Sequence, residues 1–233
     1  MICFDIITIF PKIFDSYLKE SLIKKAREKK LIQVKIHNLR NWTKDKHKTV
    51  DDRPFGGGYG MVMKIEPIFR AIKDIENKKI DSRKRKIILF SPRGEKFNQR
   101  MAFRFSRLEQ IIMICGRYEG IDERVEKYIA DKSISIGDYD LMGGEMPAMI
   151  TLEVVSRLIP EVIGKPGLLK ERITKSKGFV EYPQYTRPEV FIPGSVFKKN
   201  VKPKKWKVPK TLLSGNHKEI ERWRQKHGKI IEN

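Results

Sequence analysis

Only two cysteines, Cys3 and Cys115, occur in the 233 residues, so no disulfide framework holds this chain together. Both stand inside apolar strand-like runs, where a buried free thiol is the expected state. The four histidines, His37, His47, His217 and His227, have no spacing typical of metal ligands, and no residue is assigned to a metal. No apolar run approaches the roughly 18 residues that would suggest a membrane span, and no secretory leader pattern opens the chain. A cytoplasmic location is the expectation. Familiar nucleotide signatures are missing as well. GGGYG at 56–60 lacks the Gly-Lys-Ser/Thr ending of a phosphate-binding loop, and no strand is followed by GxGxxG, which disfavours a nucleoside triphosphate or NAD. Ser91 lies where a strand breaks into a loop, but without the GxSxG frame a serine triad finds no support.

Acidic residues are the other shortage. Against 50 Lys+Arg stand 29 Asp+Glu, a net charge of +21, and a polyanion is the natural partner. The run KKNVKPKKWKVPK from Lys198 to Lys210 concentrates seven lysines around one tryptophan and two prolines. That composition suits an extended basic segment lying on phosphates, and equally a solvated connector.

What the chain does have is a strand-and-helix rhythm. MICFDIITIF is nearly continuously apolar, as a strand covered on both faces would be. Pro11 then starts a helix in which Phe14, Leu18 and Leu22 recur every fourth residue. Leu31 to His37 alternates as a second strand. From Asn38 to Met63 periodicity vanishes, and Ile65 to Ile75 reads as an amphipathic helix. Three strand-and-helix units follow, the last helix running from about Ala148 to Leu158 and stopping at Pro160. Residues 161–210 are rich in Pro, Gly, Lys and Thr and read as a linker with short ordered pieces. A final helix from about Asn216 to His227 puts Ile220 and Trp223 on one face and must dock on something. The fold class is therefore α/β with a largely parallel sheet.

Three strands in this series end in glycine-bearing loops: KIILFSPRGEKF from Lys86, QIIMICGRYEGIDER from Gln110 and SISIGDYDLMGGEMP from Ser133. In open parallel sheets ligands bind at such loops, and the absence of a Cβ lets backbone approach closely. A small-molecule pocket is expected there. A fourth segment, DKHKTVDDRPFGGGYGMVM from Asp45 to Met63, is dense in charge and glycine; Lys46, Lys48 and Arg53 are suited to phosphates.

With EYPQYTRPEVF at 181–191, these segments resemble the bacterial tRNA (guanine-N1)-methyltransferase family from Met1 to about Trp223. The resemblance implies a knotted α/β domain of the SPOUT superfamily. The trefoil-knot, parallel-sheet domain would thread through a loop near residues 86–147, and a small, abbreviated helical C-terminal domain would follow. It implies a donor-binding domain at 1–160, a linker at 161–180 and a shortened tRNA-binding domain at 181–233. It implies S-adenosylmethionine as methyl donor, Mg2+, a tRNA substrate methylated at N1 of the guanosine 3′ of the anticodon, and a homodimer with active sites at the interface. Carried over by motif, Leu89, Phe90, Ser91, Pro92, Gly116, Tyr118, Ile136, Gly137, Asp138, Tyr139, Asp140 and Leu141 line the donor pocket. Gly143, Gly144 and Pro147 shape its third wall. Lys46, Lys48, Asp52, Arg53, Gly57, Gly58, Arg187, Lys204 and Lys205 are the expected RNA contacts.

Methylation at N1 requires removal of the N1 proton by a general base, and a guanidinium near O6 to hold the charge that develops. The family's arginine corresponds to Arg157 and its glutamate near the reacting centre to Glu119, for which capping of the helix beginning near Ile121 is a competing role. The family aspartate aligns with Ile173, which cannot accept a proton. Glu171, two residues earlier, replaces it in one account, Glu119 in a second, and activity is lost in a third. A catalytically silent RNA-binding homologue and a ribosomal RNA methyltransferase of the same superfamily are the alternative functions. The chain stops at Asn233 where family members commonly continue, so an abbreviated RNA grip is expected, compensated by the lysines of 198–210.

Overall fold

Alternate residues of the first strand, β1 (Ile2–Thr8), face two different cores, and this sets the layered architecture. Our computed structural model describes residues 1–164, 173–174, 178–193 and 205–230. Five parallel strands form the main sheet: β1, β2 (Ile32–Asn38), β3 (Arg85–Lys96), β4 (Gln110–Ile114) and β5 (Lys132–Ser135), in the order β2-β1-β4-β3-β5. Phe4 and Ile6 face one layer, with Met101, Ala102, Leu152 and Val155 among their cluster, while Ile7 joins Ile68, Ala71 and Val125 in the other. The first layer is built by α1 (Ser21–Glu28), α3 (Gln99–Phe105) and α5 (Glu145–Arg157); the second by α2 (Ile65–Ile75) and α4 (Glu123–Tyr128). Strands covered on both faces in this way read as continuous apolar runs. Among the described residues, no helix is long and apolar enough to cross a membrane.

The first helix departs from the expectation. Instead of one helix from Pro11, there is a 3-10 turn at Pro11–Phe14, a single α-turn at Asp15–Leu18, and α1 beginning at Ser21, which has φ 51°. The break changes the phase. Phe14 and Leu18 are buried as expected, but Leu22 is exposed, and Ile23 and Ala26 take the inward positions. At the other end, α5 starts at Glu145 rather than near Ala148, with Pro147 inside its first turn, where a missing N–H breaks no helical bond.

The break expected after Phe90 is an excursion within a strand. Phe90 and Glu95 both pair with Ile134, so the four residues between them leave the ladder and return to the same partner. Gly94 makes the return possible: a Cβ there would lie 2.5 Å from the Ile134 backbone nitrogen. The aperiodic stretch from Asn38 to Met63 holds a 3-10 turn at Leu39–Trp42 and a two-residue antiparallel ladder, Asp51–Asp52 with Val62–Met63.

The chain divides into two compact units, Met1–Leu169 and Lys170–Asn233. The second is not purely helical. Ile173–Thr174, Gly178–Glu181 and Lys229–Ile230 form a small antiparallel sheet, and Val190–Phe191 pairs with Trp206–Lys207. Its helix α6 (His217–His227) is capped by Asn216, whose side chain accepts from the Glu219 N–H at 3.3 Å. Trp223 stacks on His227 at 4.2 Å and meets Tyr185 edge-on at 6.2 Å, while Arg224 lies 5.1 Å over Tyr182. These aromatic contacts supply the docking that the sequence requires of this helix.

A polar cluster interrupts the apolar layers at β1. Asp5, 2% exposed in β1, accepts from His37 Nε2 at 2.8 Å, Gln110 Nε2 at 2.7 Å and the Cys3 thiol at 3.3 Å. Burial alone would raise its pKa, but the bonds from His37, Gln110 and Cys3 outweigh that and hold it below the ordinary carboxylate value. The same burial, with Asp5 beside it, pushes the Cys3 thiol up to about 12. A carboxyl group whose folded pKa is depressed stabilises the fold fully above its unfolded pKa, and that contribution fades as pH falls toward the folded value. Urea unfolding should therefore show stability falling below about pH 4. Asp5→Asn should be less stable at neutral pH by about 1–3 kcal/mol, with a flatter acid dependence. Parallel pH curves for the two proteins would count against this role.

Candidate active site

Where β3, β4 and β5 end or break, their loops surround a cavity of about 500 Å³, within the range of small-molecule sites. The first wall comes from Leu89 to Arg93, the second from Gly116 to Ile121, and the third from Ile134 to Ile136, Tyr139 to Gly144 and Pro147. Of the expected pocket residues, Leu89, Phe90, Ser91, Pro92, Gly116, Tyr118, Ile136, Tyr139, Asp140, Leu141, Gly143, Gly144 and Pro147 line it. Gly137 and Asp138 stand off the wall. Gly137 is covered by the Tyr139 ring, and Asp138 pairs with Lys96 at 2.5 Å.

Close backbone approach joins the second and third walls. The Gly144 N–H donates to the Gly116 carbonyl at 2.9 Å, and a Cβ on Gly144 would lie 2.7 Å from the Cys115 Cα. Under this junction Arg117 Nε meets the buried Glu145 carboxylate at 2.8 Å, and Thr8 Oγ1 donates to the other oxygen at 2.7 Å. The Cys115 thiol beside them is fully buried; burial first, and the Glu145 charge second, raise its pKa well above the ordinary value. The charged loop from Asp45 is tied to the second wall as well. The Glu119 N–H donates to the Met61 carbonyl at 3.1 Å, and the Met63 N–H to the Gly120 carbonyl at 2.9 Å.

The sequence model of a family described as tRNA (guanine-1)-methyltransferase TrmD matches residues 2–231. The chain belongs to this family. It is 50% identical over 226 residues to the tRNA (guanine-N(1)-)-methyltransferase of Dictyoglomus turgidum, a match covering 97% of this chain and 84% of that protein. Proteins of the same name from Geobacter sp. strain M21 and Moorella thermoacetica are 48% and 46% identical. Those matches span 96% and 95% of this chain, and 83% of each relative.

Within that family frame, the expected catalytic residues are placed unequally. Glu119 is an exposed residue of the second cavity wall. It does not cap the following helix; Asp122 does, accepting from the Arg124 N–H at 2.9 Å. Arg157 is the exposed last residue of α5, is not on the cavity wall, and makes no ion pair or hydrogen bond among the described residues. Glu171 and Lys204 lie outside the described residues, and Ile173 belongs to a two-residue strand of the second unit.

Of the expected RNA contacts, Lys46, Lys48, Arg53, Gly57 and Gly58 are exposed in the 43–61 segment. Lys48 has φ 53°, and its carbonyl accepts from Arg40 at 2.9 Å. Asp52 pairs with Lys64 at 3.4 Å. Phe55 and Tyr59, which the sequence reading passed over, are fully exposed beside them. Arg187 and Lys205 are exposed in the second unit. Sequence reasoning also missed Arg93, Arg117 and Glu126 on the cavity wall. Arg117 was within reach, since it sits between two expected residues in CGRYEG. Among the described residues no group of three or more His, Cys, Asp or Glu side chains is placed to hold a metal ion.

The junction at Gly144 is testable by adding one methyl group. Gly144→Ala should lower stability by about 1–3 kcal/mol, because the Cys115 backbone it meets cannot rotate away. A denaturant midpoint equal to wild type would show that the two walls part without cost.

Proposed function

We propose that this chain transfers a methyl group from S-adenosylmethionine to N1 of the guanosine at position 37, 3′ of the anticodon, in tRNA, acting in the cytoplasm. The observation that carries the proposal is the cavity itself, lined by the same three loops that hold the family motifs. It suits this donor chemically. Leu89, Ile136, Leu141 and Pro147 offer apolar surface for an adenine, and the glycine-bearing turns at Gly116 and Gly144 bring backbone to the wall. Bound there, S-adenosylmethionine supplies an electrophilic methyl group.

The protein's part is then to present guanine N1 stripped of its proton. We assign the proton to Glu171, the acid nearest to the family's aspartate position in sequence, and the developing charge at O6 to Arg157. Because Arg157 is not on the cavity wall of its own chain, we place it at a site completed by a second copy. A homodimer is supported by the exposed apolar residues Met146 and Ile150 on α5, with Phe10, Ile13 and Met142 also exposed. A knot through residues 86–147 belongs to the same reading, supported by family membership and by the tight passage of Gly94 against β5. The donor-binding domain is assigned to 1–160. The tRNA-binding domain is assigned to 181–233, whose Arg187, Lys204 and Lys205 join Lys46, Lys48, Asp52, Arg53, Gly57 and Gly58 in gripping the anticodon branch. A Mg2+ requirement is proposed from the family resemblance alone, since no described cluster is placed to hold the ion.

Ile173 favours a second reading, an RNA-binding homologue without turnover. One experiment separates the two: transfer of labelled methyl from S-adenosylmethionine to unmodified tRNA carrying G37, followed by nucleoside digestion. The expected product is 1-methylguanosine. Donor and tRNA binding without product would establish the silent homologue, and a ribose-methylated product would overturn both. In the same assay Glu171→Gln should slow transfer by about a hundredfold or more, while Glu119→Gln stays within about tenfold of wild type. The reverse pattern would move the base to Glu119.

A further inference from the structure

Beneath the cavity lies a buried carboxylate that the chemistry above does not use. Glu145, the first residue of α5, is 1% exposed, and its two oxygens are taken separately by Thr8 at the end of β1 and Arg117 in the second loop. A carboxylate withdrawn from water in this way is tolerated only when it is paired and hydrogen-bonded.

Arg117 carries the connection onward. Its Nη1 donates to the Met142 carbonyl at 3.1 Å, in the third loop, and its guanidinium lies 4.8 Å over the Phe10 ring. A side chain at Gly143 would strike both Arg117 and the Glu145 carboxylate, so the third loop passes directly over the pair. One planar fork thus reaches from a buried acid to the backbone of a neighbouring loop, a geometry that lysine's single ammonium cannot reproduce. Arg117, Met142 and Gly143 all line the cavity.

We propose that Glu145 is a positioning residue: by fixing the Arg117 fork it clamps the second loop to the third and sets the width of the donor cavity. The inference rests on the reading of that cavity as the S-adenosylmethionine site. Fixed side chains of this kind matter because small displacements of a binding wall are costly to the step it serves.

The test uses the full chain with S-adenosylhomocysteine as the calorimetric probe and S-adenosylmethionine and tRNA in steady-state kinetics. Glu145→Gln and Arg117→Lys should each weaken S-adenosylhomocysteine binding by about tenfold and raise the donor KM in step. The tRNA KM should stay within about threefold of wild type. The combined variant should lose no more than the worse single one, since both changes open the same clamp. Should Glu145→Gln fail to fold, Arg117→Lys decides alone, because it keeps a positive charge beside Glu145 while giving up the reach to Met142. Folded variants with wild-type donor affinity would overturn the clamp, as would equal losses for donor and tRNA. If wild-type protein fails to bind S-adenosylhomocysteine, the donor reading itself falls and the clamp with it; wild-type binding with unaltered variants removes the clamp alone.

Discussion

Strand β4 is buried at all five of its residues, and the site depends on the point where it ends. Lying between β1 and β3, it has no free edge, and its chain leaves the sheet at the carboxyl end. There the Cys115 N–H is held by the Ile7 carbonyl of β1 at 3.0 Å, and the Gly116 carbonyl holds the start of α5 through Gly144. Three elements distant in sequence are thereby fixed within two residues of one another. A parallel sheet makes this arrangement available because all its strands end on the same side, and glycine makes it usable because a Cβ at Gly144 would fall on backbone.

Much of this is legible in the sequence. The apolar runs gave the strands, and the three glycine-bearing breaks gave the walls of the cavity. What escaped was information that local pattern does not carry. Leu22 continues the fourfold spacing of Phe14 and Leu18, yet Ser21 adopts a positive φ and restarts the helix, so Ile23 and Ala26 turn inward instead. The excursion at Ser91 resembles the end of a strand because Pro92 cannot donate to a ladder, and only the pairing of both Phe90 and Glu95 with Ile134 reveals that the strand resumes. Glu145 escaped for a different reason: an acid after two glycines reads as solvated loop, whereas here it is the buried first residue of a helix.

The charge of the chain divides along similar lines. The buried acids Asp5 and Glu145 are each held by several donors, and surface acids such as Glu109 and Asp122 pair with lysine or arginine neighbours. With 50 basic residues against 29 acidic ones, such pairing leaves a large cationic excess at the surface. The exposed Lys46, Lys48 and Arg53 stand in a segment bonded through Met61 and Met63 to the second cavity wall. A polyanion held by such a segment would lie beside the cavity.

The position of Arg157 constrains how chemistry can occur. It stands twelve residues beyond Glu145 on the same helix, a rise of about 18 Å from the end that borders the cavity. An arginine side chain does not span that distance back along its own helix. A guanidinium there is out of reach of the cavity that its own helix begins beside. The cavity, held by backbone contacts inside one unit, is therefore built without Arg157. The second and third walls join through Gly116 and Gly144 whatever the far end of α5 does, so the geometry of the cavity and the use of Arg157 are physically separate properties.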